Sequence, residues 1–259
     1  MKIYCCQPDI VWENKEANFK RVRALLGKRK LSPRSLIVLP EMFATGFTMN
    51  ADAVAEGKNG PTDCFLREVA REKGAFIIGG LVRASRGQMV NEAVCIAPSG
   101  KRVARYDKLH LFSPGNESRH YVPGAGLTVF RWGEFKVGLF ICYDLRFPEI
   151  FRMSVRRGAD VLVVIASWPG KRHSHWTALL RARAIENQAY VIGVNRCGND
   201  PQANYQGGSV VIDPWGETVS EAGAGEELLT ADLDLTTIKR VRSGFPVLRD
   251  ARTRYVLTK

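Results

Sequence analysis

The sequence predicts an α/β fold, with apolar strands alternating with amphipathic helices in a single layered domain. Three observations carry that expectation. Apolar runs such as Val161-Leu162-Val163-Val164-Ile165 show no in–out alternation, as in strands covered on both faces. Between the runs lie segments whose apolar residues recur three and four positions apart. No Pro-, Gly- or Ser-rich linker divides the 259 residues, a length that one core fills without metal or disulfide staples.

Taken in order, residues 2–7 read as the first strand and residues 14–28 as a helix with Phe19, Val22, Leu25 and Leu26 on one face. Residues 35–39 form a short strand that stops at Pro40, which has no N–H for a ladder. Thr62 is placed to cap a helix running through Phe65, Leu66, Val69 and Ala70 and ending at Gly74. Strands follow over 75–79, 90–96 and 102–106. A loop over 113–126, rich in Gly, Pro and polar residues, precedes strands at 127–131 and 136–142. A helix after Pro148 leads to a strand at 160–166. Residues 173–187 then place Trp176, Leu179, Leu180, Ala184 and Asn187 on one helical face. Strands at 189–195 and 208–212 precede the turn Asp213-Pro214-Trp215-Gly216, and a strand at 228–233 closes the series. Residues 1–240 therefore read as one domain. Residues 241–259 read as a basic extension carrying Phe245, Val247, Leu248, Tyr255, Val256 and Leu257 as apolar anchors.

The chain has 38 Lys and Arg against 26 Asp and Glu, a net charge of +12, with 45% apolar and 25% charged residues. That balance excludes intrinsic disorder. The basic excess admits nucleic acid, an acidic membrane surface or anionic small molecules as partners. Nucleic acid is not expected, because there is no basic helix with base-reading residues, no zinc spacing and no aromatic platform interleaved with Lys and Arg. Half of the net charge sits in residues 239–259, where seven basic residues face only Asp250. The longest apolar run, residues 161–168, is too short for a membrane span, and no signal peptide is visible. Cys5, Cys6, Cys64, Cys95, Cys142 and Cys197 show no C-x-x-C spacing, so a reduced, cytoplasmic protein is expected.

Three polar residues fall where strands end, the place where α/β sheets collect ligands and reacting groups. Glu41 follows the break at Pro40, Lys108 follows the strand ending at Tyr106, and Cys142 closes Val137-Gly138-Leu139-Phe140-Ile141. Together they supply a base, a cation and a nucleophile. Read singly, Glu41 is a solvated loop acid, Lys108 a surface cation and Cys142 a core thiol. His110 offers a rival pairing, since imidazole is the usual partner of a reactive thiol.

The segments Leu39-Pro40-Glu41-Met42, Tyr106-Asp107-Lys108-Leu109-His110-Leu111-Phe112 and Ile141-Cys142-Tyr143-Asp144-Leu145-Arg146-Phe147-Pro148-Glu149 resemble the three signature segments of the nitrilase superfamily of carbon–nitrogen hydrolases, in the same order. The likeness continues through Asn195 and Asp213-Pro214-Trp215-Gly216-Glu217. The resemblance implies an αββα sandwich and a Glu–Lys–Cys triad at Glu41, Lys108 and Cys142. It also implies a homodimer with the C-terminal segment reaching across. Residues 142–148, Ala166-Ser167-Trp168-Pro169, His175-Trp176 and residues 181–191 are similar to bacterial ω-amidases. Those enzymes hydrolyse the terminal amide of 2-oxoglutaramate or 2-oxosuccinamate, and succinamate belongs to the same class. Deaminated glutathione or an N-carbamoyl compound is the alternative substrate for the same triad.

A primary amide is a poor electrophile, so its hydrolysis needs a thiol nucleophile, a base and oxyanion stabilisation. Cys142 is expected to attack the amide carbon, with Glu41 moving the protons. Lys108 and the backbone N–H of Tyr143 are expected to hold the oxyanion, so that no metal or organic cofactor is required. The superfamily often has a second Glu between the lysine and the cysteine, which maps to Glu117; an exposed loop acid is the alternative. A small anionic amide also needs a cation for its far carboxylate. Arg146, Arg119, Arg172 and His175 are the candidates and Trp168 a candidate wall, with surface charge and core packing as their ordinary roles.

Overall fold

The structure is a computed structural model that describes residues 1–27, 30–85 and 87–252. Its first half runs β1 (Lys2–Gln7), α1 (Lys15–Gly27), β2 (Leu36–Val38), α2 (Ala51–Val54), α3 (Pro61–Lys73), β3 (Phe76–Ser85), β4 (Gln88–Ile96) and β5 (Arg102–Asp107). The second half begins with β6 (Val129–Trp132), β7 (Phe135–Ile141), α4 (Pro148–Arg156), β8 (Val161–Ala166), α5 (His173–Asn187) and β9 (Tyr190–Asn195). It ends with β10 (Cys197–Asn199), β11 (Asn204–Gln206), β12 (Val210–Ile212), β13 (Thr218–Glu221), β14 (Glu227–Asp232), α6 (Leu235–Gly244) and α7 (Val247–Asp250).

Two six-stranded sheets result, ordered β14-β1-β2-β3-β4-β5 and β13-β12-β9-β8-β7-β6. Each has three parallel strands at its centre, β1-β2-β3 and β7-β8-β9, which antiparallel strands extend at both edges. Because strand side chains alternate between faces, each central strand serves two cores. On β1, Ile3 and Cys5 face the second sheet, while Tyr4 and Cys6 pack with Val22, Leu26, Phe65 and Val69 of α1 and α3. On β8, Val161, Val163 and Ile165 enter the same inter-sheet core, while Leu162 and Val164 pack with Trp176, Leu180 and Phe151 of α5 and α4. The layers are therefore helix, sheet, sheet, helix, and the absence of alternation in the sequence reports burial on both faces.

Several boundaries differ from the sequence reading, each for a physical reason. The strand expected to end at Gly79 continues to Ser85 and turns back as β4. Gly79-Gly80 and Arg83 hide it from a hydrophobicity pattern, yet Arg83 is buried between Glu92 and Asp63 at 3.0 and 2.8 Å. Thr62 does not cap α3. Gly60 does, with Pro61 at the first helical position, and the Thr62 hydroxyl donates to buried Glu56 at 2.6 Å. Strands β10, β11 and β13 are short and mostly polar, so periodicity passes over them. The boundary expected between 240 and 241 falls inside α6, whose Ile238 is in the inter-sheet core and whose Arg242 meets Asp160 at 3.3 Å. The helix thus belongs to the body. Tyr255, Val256 and Leu257 lie outside the described residues.

Candidate active site

The site forms where strands of the two sheets end against each other. After β2 the chain makes a tight turn: Leu39 N–H bonds Ile78, Gly80 N–H bonds Pro40, and Met42 takes a left-handed φ of 44°. This turn packs onto β3 so closely that a Cβ on Gly80 would lie 2.6 Å from the Met42 nitrogen and 2.8 Å from Glu41 Cα. Only glycine leaves room for Glu41 there. Lys108 follows β5, its backbone N–H held by the Asn91 carbonyl of β4 at 2.9 Å. Cys142 follows β7 directly, with φ at 47°, and opens a 3₁₀ turn over Cys142–Arg146. A non-glycine residue in that region is held by its surroundings, and such strain concentrates at functional sites.

These strand ends bring four of the expected residues together. The Lys108 ammonium lies 2.9 Å from Glu41 Oε1 and within 2.9–3.0 Å of both oxygens of Glu117, and all three side chains are fully buried. Glu117 is therefore not an exposed loop acid. Each carboxylate has further donors: Ser167 N–H reaches Glu41 Oε2 at 2.9 Å, and Phe112 N–H reaches Glu117 Oε2 at 2.6 Å. The Asn91 amide spans the pair, donating to Glu41 Oε1 at 2.8 Å and to Glu117 Oε1 at 2.9 Å. Buried charges persist only when paired and hydrogen-bonded, and removing one partner costs about 3–5 kcal/mol.

The electrostatics follow from that packing. Burial works against the Lys108 charge, but Glu117 and Glu41 more than offset it, so its pKa is raised and the ammonium is retained. Burial, and then the charge of Glu41, push the Cys142 thiol well above its ordinary range. Lys108 and the Ser167 N–H pull it back only in part. The resting group is a thiol beside a buried carboxylate and ammonium, an arrangement suited to base-assisted nucleophilic attack.

Above the thiol opens a cavity of about 240 Å³, near the lower end of the range for small-ligand sites. Phe47, Phe112, Tyr143, Trp168 and Tyr205 form its walls. Two guanidiniums enter it over aromatic faces: Arg146 at 4.9 Å from the Trp168 ring and Arg172 at 5.2 Å from the Phe112 ring. Among the described residues neither has an acidic partner, so the cavity carries uncompensated positive charge. Trp168 is fixed by Asn195, which accepts from its backbone N–H at 2.8 Å and donates to its carbonyl at 3.1 Å.

Two expected binding residues lie elsewhere. Arg119 is exposed and outside the cavity, because the 3₁₀ turn Glu117–Arg119 that buries Glu117 turns Arg119 outward. His175 is exposed on the first turn of α5 and meets Arg146 at 3.3 Å without lining the cavity. His110 is bonded to Asp144 at 2.8 Å and stacked on Phe147, an arrangement that gives the thiol–imidazole pairing no support. Asn91, Asp144 and Ser167 escaped the sequence reading. The signal for Asn91 was present as an uninterrupted apolar strand broken only by Asn91-Glu92. Among the described residues, no three His, Cys, Asp or Glu side chains are placed to hold a metal ion, and no helix is long and apolar enough to cross a membrane.

A doubled sheet with helices outside, and a thiol, two carboxylates and an ammonium gathered where its strands end, defines a class, and the chain belongs to it: residues 2–243 match the carbon–nitrogen hydrolase family. The omega-amidase YafV of Yersinia enterocolitica is 38% identical over 252 residues, covering 96% of each chain. The 2-oxoglutaramate amidase of Bacillus subtilis is 34% identical, covering 96% of this chain and 97% of its own. Among solved structures, a CN-hydrolase superfamily protein of Xanthomonas campestris with an arsenic adduct in its active site superposes with a TM-score of 0.93. It is 34% identical, with 100% of this chain and 99% of that one covered.

Proposed function

We propose that the protein hydrolyses the terminal amide of small dicarboxylate monoamides (2-oxoglutaramate, 2-oxosuccinamate and succinamate) to ammonia and the dicarboxylate. The observation that carries this reading is the cavity itself. Its floor holds Cys142 beside the buried Glu41–Lys108–Glu117 cluster, and its wall holds two guanidiniums with no acid partner among the described residues. The similar proteins named as omega-amidase and 2-oxoglutaramate amidase support the same substrate class.

In this mechanism Cys142 Sγ attacks the amide carbon as Glu41 takes the thiol proton. Lys108 and the N–H of Tyr143, the second residue of the turn begun by Cys142, hold the oxyanion. Glu41 passes its proton to the departing ammonia, leaving a thioester, then draws a proton from the attacking water and returns it to the Cys142 sulfur as the C–S bond breaks. Glu117 keeps the lysine charged and aimed. Arg146, assisted by Arg172, takes the distal carboxylate, and Trp168 walls the acyl chain. A homodimer and a cytoplasmic location complete the reading. The first is supported by exposed Ile185, Trp215 and Phe245, the second by six cysteines that show no C-x-x-C spacing.

Ammonia release from 2-oxoglutaramate, 2-oxosuccinamate, succinamate, deaminated glutathione and an N-carbamoyl amine tests the substrate class. Turnover of the three monoamides well above the other two is expected. Turnover confined to the last two would overturn the proposal.

A further inference from the structure

Behind the thiol lies a carboxylate that the mechanism above does not use. Asp144 is fully buried, and each of its oxygens accepts twice. Oδ2 accepts from the Tyr106 hydroxyl at 2.7 Å and the Ile141 backbone N–H at 3.0 Å. Oδ1 accepts from the His110 backbone N–H at 3.0 Å and from His110 Nδ1 at 2.8 Å. Four donors on one buried carboxylate saturate it, which makes a structure far stiffer than a single contact.

The order of these residues along the chain gives the cluster its meaning. Tyr106 and His110 stand two positions either side of Lys108. Ile141 immediately precedes Cys142, and Asp144 follows it by two. Tyr106 lies on β5 of the first sheet, whereas Ile141 ends β7 of the second. One side chain therefore ties the segment carrying the ammonium to the segment carrying the thiol, across the interface between sheets. Stacking of His110 on Phe147, with ring centroids 3.8 Å apart and planes at 10°, fixes the outer arm. The inner arm is Tyr106, whose ring packs edge-on to Phe140.

We propose that Asp144 is a positioning residue, which sets the approach of the Lys108 ammonium to the Cys142 thiol through Tyr106 and His110. The inference rests on Cys142 being the nucleophile, and it adds a second layer to the proposed mechanism. A misplacement of about 1 Å at a reacting centre costs roughly a hundredfold in rate. Substrate affinity belongs to a different part of the cavity, the wall formed by Arg146, Trp168 and Arg172. Loss of the tie should therefore divide the kinetic constants.

Full-length Asp144→Asn, Tyr106→Phe, His110→Ala and His110→Asn, checked by thermal unfolding, test this on whichever monoamide the parent protein hydrolyses. For Asp144→Asn, kcat is expected to fall about a hundredfold while KM stays within about threefold. His110→Asn, whose amide can donate where Nδ1 does, should recover part of the kcat lost in His110→Ala. The rate of Cys142 alkylation by iodoacetamide is a readout independent of substrate, and it should fall with kcat. If Asp144→Asn does not fold, the Tyr106→Phe and His110→Ala double variant removes both side-chain donors of the Lys108 segment, leaving the His110 backbone N–H, and should show the same split. Folded variants with kcat within twofold of the parent, an unchanged alkylation rate, or no recovery in His110→Asn overturn the inference. A parent protein inactive on every monoamide defeats the proposed substrate but leaves the alkylation comparison intact.

Discussion

The proposed nucleophile, Cys142, rests as a thiol. Burial and the neighbouring Glu41 charge raise its pKa, and Lys108 and the Ser167 N–H do not make up the difference. A group whose pKa is raised stays protonated over more of the pH range, so in the proposed mechanism deprotonation accompanies attack, with Glu41 as the acceptor. This arrangement differs from a thiolate stabilised beforehand by an imidazolium. Alkylation of Cys142 by neutral iodoacetamide should accordingly keep rising from about pH 6 to pH 9, past the ordinary thiol value of about 8.5. A plateau below about pH 8 would reveal a preformed thiolate and contradict this account. Lys108 shows how closely the groups depend on one another. Its ammonium sits against Glu41, Glu117 and the Phe47 ring at 5.1 Å, so its removal would strand two buried carboxylates and, in the proposed mechanism, take away an oxyanion donor.

At the scale of elements, legibility followed the physics of strands. Glu41, Lys108 and Cys142 stood out because each directly follows a run of buried apolar residues, and the resemblance in those segments named them as a group. Asn91 sits with Glu92 in a polar break inside an apolar strand, and Asp144 sits among polar neighbours in the turn after β7, so neither stands out by position. What each satisfies, two carboxylates for Asn91 and four donors for Asp144, appears only when strands from distant parts of the chain meet. The far half of β3 was hidden for a related reason: Gly80 is required by the Glu41 turn and Arg83 by a buried ion network, and neither scores as strand. Arg119 misled because sequence proximity to Glu117 says nothing about direction in a 3₁₀ turn. The C-terminal boundary shifted because α6 anchors itself through Ile238 and Arg242. Removing residues 245–259 leaves α6 whole and, if the extension bridges two copies, should move the mass by light scattering from that of a dimer, twice 28.9 kDa for the full chain, to that of a single shortened chain. A truncated protein that remains dimeric would assign the interface elsewhere.

Over the whole molecule, the site exists only because the two sheets close on each other. Glu41, Asn91 and Lys108 come from the first sheet and its connections, and Cys142 and Ser167 from the second. Glu41 to Ser167 and Tyr106 to Asp144 are two of the polar ties between them, set beside the apolar inter-sheet core. The charge that first set this sequence apart is distributed in two ways. Half of the net +12 lies in residues 239–259, while Arg146 and Arg172 place a small part of it where an anionic amide would bind. In the proposed reaction this interface builds a cysteine nucleophile for amides. The most direct measurement is to quench turnover of a slow monoamide in acid and locate the acyl group by peptide mass spectrometry. One acyl adduct is expected, on Cys142, absent from Cys142→Ala. An adduct on any other residue, or turnover persisting in Cys142→Ala, would contradict the proposed reaction.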